Sequence, residues 1–207
     1  MRNIVGFQVK EGEPKVWGLT YTPIFSDMDG EVIAPNGVQI EMSDRNLTLI
    51  KETVKGMNNP SRILEIGVHR NEDRSSTTVL LRHKNPDTYY FGVDVEDKSY
   101  LGDRGKRIST IRRSSSDYMD VLNWMYEISF GCSLDILLID GWHSINQCLR
   151  DWRYAHLVKP MGYVILHDTN YHLGPASLFD AIDSNLFEKS KYFDGENDWG
   201  MAVAVAK

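Results

Sequence analysis

The sequence predicts an α/β fold, a three-layer α/β/α sandwich around a mostly parallel, doubly wound sheet with a C-terminal antiparallel hairpin. Two observations carry this. Short apolar runs alternate with segments of helical period along most of the chain, the order that builds a parallel sheet with helices on both faces. After the last helical segment, two strand-like runs near residues 191–193 and 199–205 lie close enough in sequence to pair as a hairpin.

Residues 1–42 mix apolar and polar stretches around Gly12, Pro14, Gly18, Pro23, Gly30, Pro35 and Gly37, which reads as strands and turns of an N-terminal extension, a flap or a homo-oligomer arm. The domain itself is expected over 43–207. Ser43 is placed to cap a helix whose apolar positions Leu47, Ile50 and Val54 share a face, with Gly56 as its stop. The first strand is expected at 62–67 (RILEIG), followed by a polar loop and a helix over 75–82. A second strand is expected at 89–95 (YYFGVDV) and a third at 108–111, before a Ser-rich turn and a helix carrying Val121, Leu122 and Met125. Residues 134–139 (LDILLI) are apolar enough for a strand buried on both faces. Ser144 and Gln147 match a capping box, and Ile145, Cys148, Leu149 and Trp152 give the next helix one apolar face. Pro160, Met161 and Gly162 turn the chain into a fifth strand at 163–166, and 175–182 reads as the last helix.

With 207 residues and 42% hydrophobic content, one filled core is expected. The 23 Lys+Arg against 29 Asp+Glu leave a net charge of −6 with no long basic run, which argues against a nucleic-acid partner. Cys132 and Cys148 lack metal-ligand or disulfide-framework spacing. No run approaches the roughly 18 apolar residues of a membrane span, so no membrane partner is expected and the cytoplasm is the simplest location.

The ordered set LEIG (64–67), GVDV (92–95), LLIDGWH (137–143) and KPMGYVILHD (159–168) resembles class I S-adenosylmethionine (SAM)-dependent methyltransferases. IDGxH followed by a helix, a Lys-Pro-x-Gly turn and a strand ending in His-Asp is similar, more narrowly, to the metal-assisted sugar (macrocin-type) O-methyltransferases and their cephalosporin-hydroxylase-like cousins. The resemblance covers about residues 61–170. It implies a SAM-methyltransferase Rossmann-like fold and O-methyl transfer to a small hydroxylated acceptor, with a sugar as one candidate class. SAM and Mg²⁺ or a similar divalent cation are the implied cofactors.

The residues behind these motifs cluster at predicted strand ends, where doubly wound sheets bind ligands. Gly67 lets the backbone approach a ligand, and Asp94 can accept hydrogen bonds from ribose hydroxyls. Glu65 matches the family's acid that organises the methionine part of SAM. Taken singly, these residues also read as a loop glycine, a turn acid and a salt-bridge partner. Ser116 and Asp117 follow the third strand, where the family contacts adenine, although Ser116 reads equally as a helix N-cap.

Asp140 and Asp168 end adjacent predicted strands, within reach of one divalent ion, and oxygen-only ligation would suit Mg²⁺. Asn170 is the candidate third ligand. The resemblance makes His143 the general base, beside the alternative of a helix-end histidine bonded to backbone. His167 reads either as functional or as a core histidine supporting the sheet end, and Tyr171 and His172 either border the acceptor pocket or reflect loop polarity.

The chain departs from the family's EIGxxxGxS-like loop: Asn71 stands at the second glycine position, with Glu72 and Asp73 adding negative charge and Arg70 and Arg74 available to offset it. Asn is the non-glycine residue that best tolerates a left-handed backbone. The altered loop keeps open a catalytically silent methyltransferase-like binding module. A nicotinamide oxidoreductase ranks below both because GxGxxG is absent.

Overall fold

The computed structural model describes residues 16–23, 42–57, 61–68, 74–192 and 198–207. Strands β1 (Arg62–Ile66), β2 (Tyr89–Asp94), β3 (Ile108–Arg112), β4 (Leu134–Ile139), β5 (Val158–His167), β6 (Phe187–Tyr192) and β7 (Met201–Ala206) form one sheet in the order β3-β2-β1-β4-β5-β7-β6. The first five are mutually parallel, and β7 runs antiparallel between β5 and β6. The predicted class and the terminal hairpin are both present.

Alternation along each strand makes the layers. Ile63, Tyr90, Ile136, Leu138 and Ile165 face α1 (Asp44–Lys55) and α2 (Ser76–His83), joining Ile50, Val54 and Leu80 in one core. Their neighbours Leu64, Ile66, Phe91, Val93, Leu137 and Val164 face the other way. There they meet α3 (Tyr118–Ser129), α4 (Ile145–Trp152) and α5 (Leu173–Ala181) through Val121, Met125, Cys148, Trp152 and Leu178.

The helix starts follow capping chemistry. Ser43, Ser75 and Ser144 accept hydrogen bonds from the backbone N–H three residues on. The Ser144 box is only half made: Gln147 turns its amide to Ser115 and Asp151. Pro175 sits in the first turn of α5, where its missing N–H costs nothing.

Two boundaries differ from expectation by more than two residues. Strand β5 begins at Val158 because the Pro160–Gly162 turn is absorbed as an irregularity in its pairing with β4, with Met161 at φ +64°. Strand β6 starts at Phe187, ahead of the expected 191–193, because a sheet edge tolerates the polar side chains Glu188 and Ser190; Phe193 is outside the described residues.

Of the 1–42 extension, residues 16–23 pack on the body. Leu19 is buried and bridges to Ile182, Thr20 donates to the Ala181 carbonyl, and Trp152 Nε1 donates to the Trp17 carbonyl at 2.8 Å. The remaining stretch of this extension, apart from Met42, is outside the described residues. No described helix is long and apolar enough to cross a membrane.

Register positions the site. Ile66 pairs with Val93 and Ile139, and Ile139 pairs with Leu166. The next residues, Gly67, Asp94, Asp140 and His167, therefore emerge at one level, where the strand order reverses about β1 and β4.

Candidate active site

A cleft of about 610 Å³ opens over these carboxyl ends. Gly67, Asp94, Ser115, Asp140, His143 and Asp168 are among its lining.

One half is built on β1 and β2. Gly67 has φ +83°, and a Cβ there would stand 2.1 Å from the Asp140 carbonyl oxygen, so glycine is required on both counts. Asp94 accepts from Val68 N–H at 2.7 Å through Oδ2 and from Glu96 N–H at 2.8 Å through Oδ1. Its carboxylate thus fixes the start of the loop after β1 while facing the cleft. The altered segment of that loop, with Arg70, Asn71, Glu72 and Asp73, is outside the described residues.

Glu65 is one layer behind the cleft. It is fully buried and accepts hydrogen bonds from Ser76 Oγ at 2.5 Å, Thr77 Oγ1 at 2.8 Å and the Tyr90 hydroxyl. Burial pushes its carboxyl up to about 7, against the opposing pull of these three hydroxyls. Its reach is therefore indirect: it clamps the first turn of α2, where Ser75 and Ser76 line the cleft.

Beyond β3, Ser114 and Ser115 line the cleft, whereas Ser116 and Asp117 do not figure in its lining. Ser116 Oγ donates to Gln147 Oε1 at 3.2 Å, and the N-cap of α3 is Asp117, without a side-chain cap bond. Sequence reasoning missed Ser115, Gln147 and Asp151. Asp151 is fully buried, and its Oδ1 accepts from Ser115 Oγ at 2.5 Å and Gln147 Nε2 at 2.8 Å. Burial raises its carboxyl to about 6 despite those bonds. The available signal was an acid one turn after Gln147 on the face that also carries Cys148 and Trp152.

The other half gathers carboxylates and imidazoles. Asp140 and Asp168 converge through His167, whose Nδ1 lies 3.0 Å from Asp140 Oδ1 and 3.1 Å from Asp168 Oδ1. His143 Nε2 is 2.7 Å from Asp168 Oδ2 but out of line for a hydrogen bond. Burial alone would raise Asp168; the imidazoles of His167 and His143 outweigh it and hold the carboxyl well below its usual range. Burial would lower His167, and the two aspartates outweigh that and raise it.

The His143 ring packs on His172 at 3.9 Å between centroids, and His172 stacks on Trp199 at 5.3 Å. A Cβ on Gly174 would stand 2.0 Å from the His143 carbonyl oxygen, so the first turn of α5 presses directly on the His143 backbone. Asn170 is not brought to this group: its amide donates to the Asp198 carbonyl at 2.9 Å and packs under Gly200. The third donor beside the two carboxylates is the His167 imidazole. Among the described residues two sets have ligand atoms mutually within 4.8 Å, Asp140/His167/Asp168 and His143/Asp168/His172, and such a donor set fits a divalent cation.

No family model and no curated protein matches the sequence. Solved structures do match in fold. A candidate caffeoyl-CoA O-methyltransferase from Staphylococcus aureus is 18% identical, with a TM-score of 0.58 over 83% of this chain and 87% of that one. The MycE methyltransferase of the mycinamycin biosynthetic pathway, in complex with Mg, S-adenosylhomocysteine (SAH) and mycinamycin VI, is 17% identical with a TM-score of 0.55. That match covers 77% of this chain and 48% of MycE, so this chain spans about half the MycE length. The O-methyltransferase TomG from Streptomyces achromogenes, in complex with SAM, is 14% identical over 78% of this chain and 77% of its own, with a TM-score of 0.51. The chain has the fold of these SAM-dependent methyltransferases.

Proposed function

We propose that the protein is a SAM-dependent, divalent-metal-assisted O-methyltransferase acting on a small hydroxylated acceptor, with sugars one candidate class. The observation that carries this is the meeting of Asp140, Asp168 and His143 in the same cleft as Gly67 and Asp94. The MycE and TomG folds, with SAH and SAM in their complexes, support the reading.

Asp94 would take the ribose hydroxyls, while Gly67, packed against the Asp140 backbone, would present the start of the loop after β1 to the methionine part. Asp140, Asp168 and His167 would hold the cation. When bound, the cation makes an acceptor hydroxyl more acidic, and SAM supplies the methyl group. His143 would be the general base. Its Nε2 is buried against Asp168, which leaves Nδ1 to take the acceptor proton, and the Asp168 carboxylate stabilises the imidazolium that forms. The remaining requirement is alignment of hydroxyl oxygen, methyl and sulfur, which a walled cleft supplies by restricting both ligands.

The test is methyl transfer from isotope-labelled SAM to a panel of free sugars, glycosides and catechols, with and without chelator. Transfer that chelation abolishes is the expected result. SAM binding without transfer to any acceptor would favour a silent binding module, and absence of both would end the methyltransferase reading.

A further inference from the structure

The geometry points to His167 Nδ1 as a metal ligand alongside Asp140 and Asp168, giving a mixed nitrogen and oxygen site that takes a borderline transition ion such as Fe²⁺, Co²⁺ or Zn²⁺ in preference to Mg²⁺. This rests on the reading above only in placing a divalent ion at these residues.

The chain bends specifically to bring these donors together. Successive strand residues point to opposite faces, so His167, the last residue of β5, and Asp168 would ordinarily diverge. Asp168 instead adopts φ +60°, a left-handed conformation that is strained for a non-glycine residue. That reversal returns its carboxylate to the point where His167 Nδ1 already meets Asp140. His167 and Asp168 are 4% and 6% exposed, so all but the Asp140 edge of the group is sealed from water.

The spacings suit shared coordination. Two donors about 2.1 Å from one ion and at right angles to each other stand about 3.0 Å apart, and His167 Nδ1 lies 3.0 and 3.1 Å from its two carboxylate oxygens. Asp168 divides its roles, with Oδ1 beside His167 and Oδ2 beside His143, so an ion on the His167 side leaves His143 in place as base. The amide that would have completed an all-oxygen set, Asn170, is tied to Asp198. Mg²⁺ strongly prefers oxygen donors in a near-ideal octahedron, whereas imidazole favours Fe, Ni, Cu and Zn.

The alternative is a metal-free ion-pair triad, with His167 as a cation between two aspartates. Titration of the tag-free full chain separates them, following Co²⁺ by its visible absorption and Mg²⁺ by calorimetry, for wild type and His167→Glu. The expected result is Co²⁺ binding to wild type with developed visible bands, and a Co²⁺-over-Mg²⁺ preference that His167→Glu reduces by at least about tenfold. An unchanged preference, or no Co²⁺ binding to wild type, overturns the proposal. Because the variant could misfold, the ¹⁵N spectrum of wild-type histidines with Zn²⁺ provides a second readout: one Nδ1 must shift to a ligated position, and none doing so also overturns it. SAM affinity is measured in parallel. Its absence with the His167-dependent preference intact would remove the methyltransferase reading and leave the metal assignment supported.

Discussion

The Gly67 backbone lies against the Asp140 carbonyl so closely that a Cβ at residue 67 would stand 2.1 Å from the oxygen. Strand β1, whose end would receive the cofactor, and strand β4, whose end carries the proposed chemistry, are thus locked together at one glycine. The left-handed φ of Gly67 adds a conformational penalty to the clash. Gly67→Ala is expected to destabilise the fold by about 3 kcal/mol, read as a lower urea midpoint with unchanged slope. A loss under about 1 kcal/mol would show that the two strand ends can separate.

His143 and Asp168 divide the chemistry in the proposed mechanism. His143→Gln should lower turnover by about 10²–10⁴-fold while leaving SAM affinity within about twofold of wild type, because His143 is outside the Gly67–Asp94 half of the cleft. Asp168→Asn should lower turnover and metal affinity together. A loss of metal affinity in His143→Gln as large as that in Asp168→Asn would contradict this division.

Glu65 makes stability depend on pH. Its carboxyl stays protonated in the folded chain up to about pH 7, whereas the ordinary value of 4.5 applies once unfolded. Unfolding between those values releases a proton, so the contribution is complete below pH 4.5 and is lost as pH rises through 7. Relative to Glu65→Gln, the wild type should lose about 3 kcal/mol of stability from pH 4.5 to 8. Parallel stability curves for the two proteins across that range would refute the assignment.

Trp152 fastens the described part of the N-terminal extension. Trp152→Phe keeps an aromatic ring among Trp17 and Phe187 but leaves the Trp17 carbonyl without its donor. The expected cost is about 1–3 kcal/mol, with faster hydrogen exchange at Leu19 and Thr20, whose amides bond to Val16 and Ala181. Unchanged exchange would mean that Leu19 burial alone holds the segment.

The parallel strands were legible because strands buried on both faces must be apolar, as in LDILLI, and the site acids because they end such runs. The start of β5 was not, since a bulge carries pairing through Pro160–Gly162. The edge strand β6 was displaced because polar side chains suit an edge. His143, Asp140 and Asp168 could be named from motif and strand end, but the part played by His167 depends on the left-handed turn at Asp168. The Ser115–Asp151 contact joins residues 36 apart, so only tertiary packing reveals it. Asn170 looked available because it follows Asp168 closely, and the hairpin claims it through Asp198.

The most direct test of the central claim is calorimetric titration of SAM into the wild type and Asp94→Ala. The account predicts saturable binding to wild type and at least about a tenfold loss in the variant, which removes both the acceptor for ribose and the anchor at Val68 N–H. No binding to wild type, or equal binding to both proteins, would contradict it.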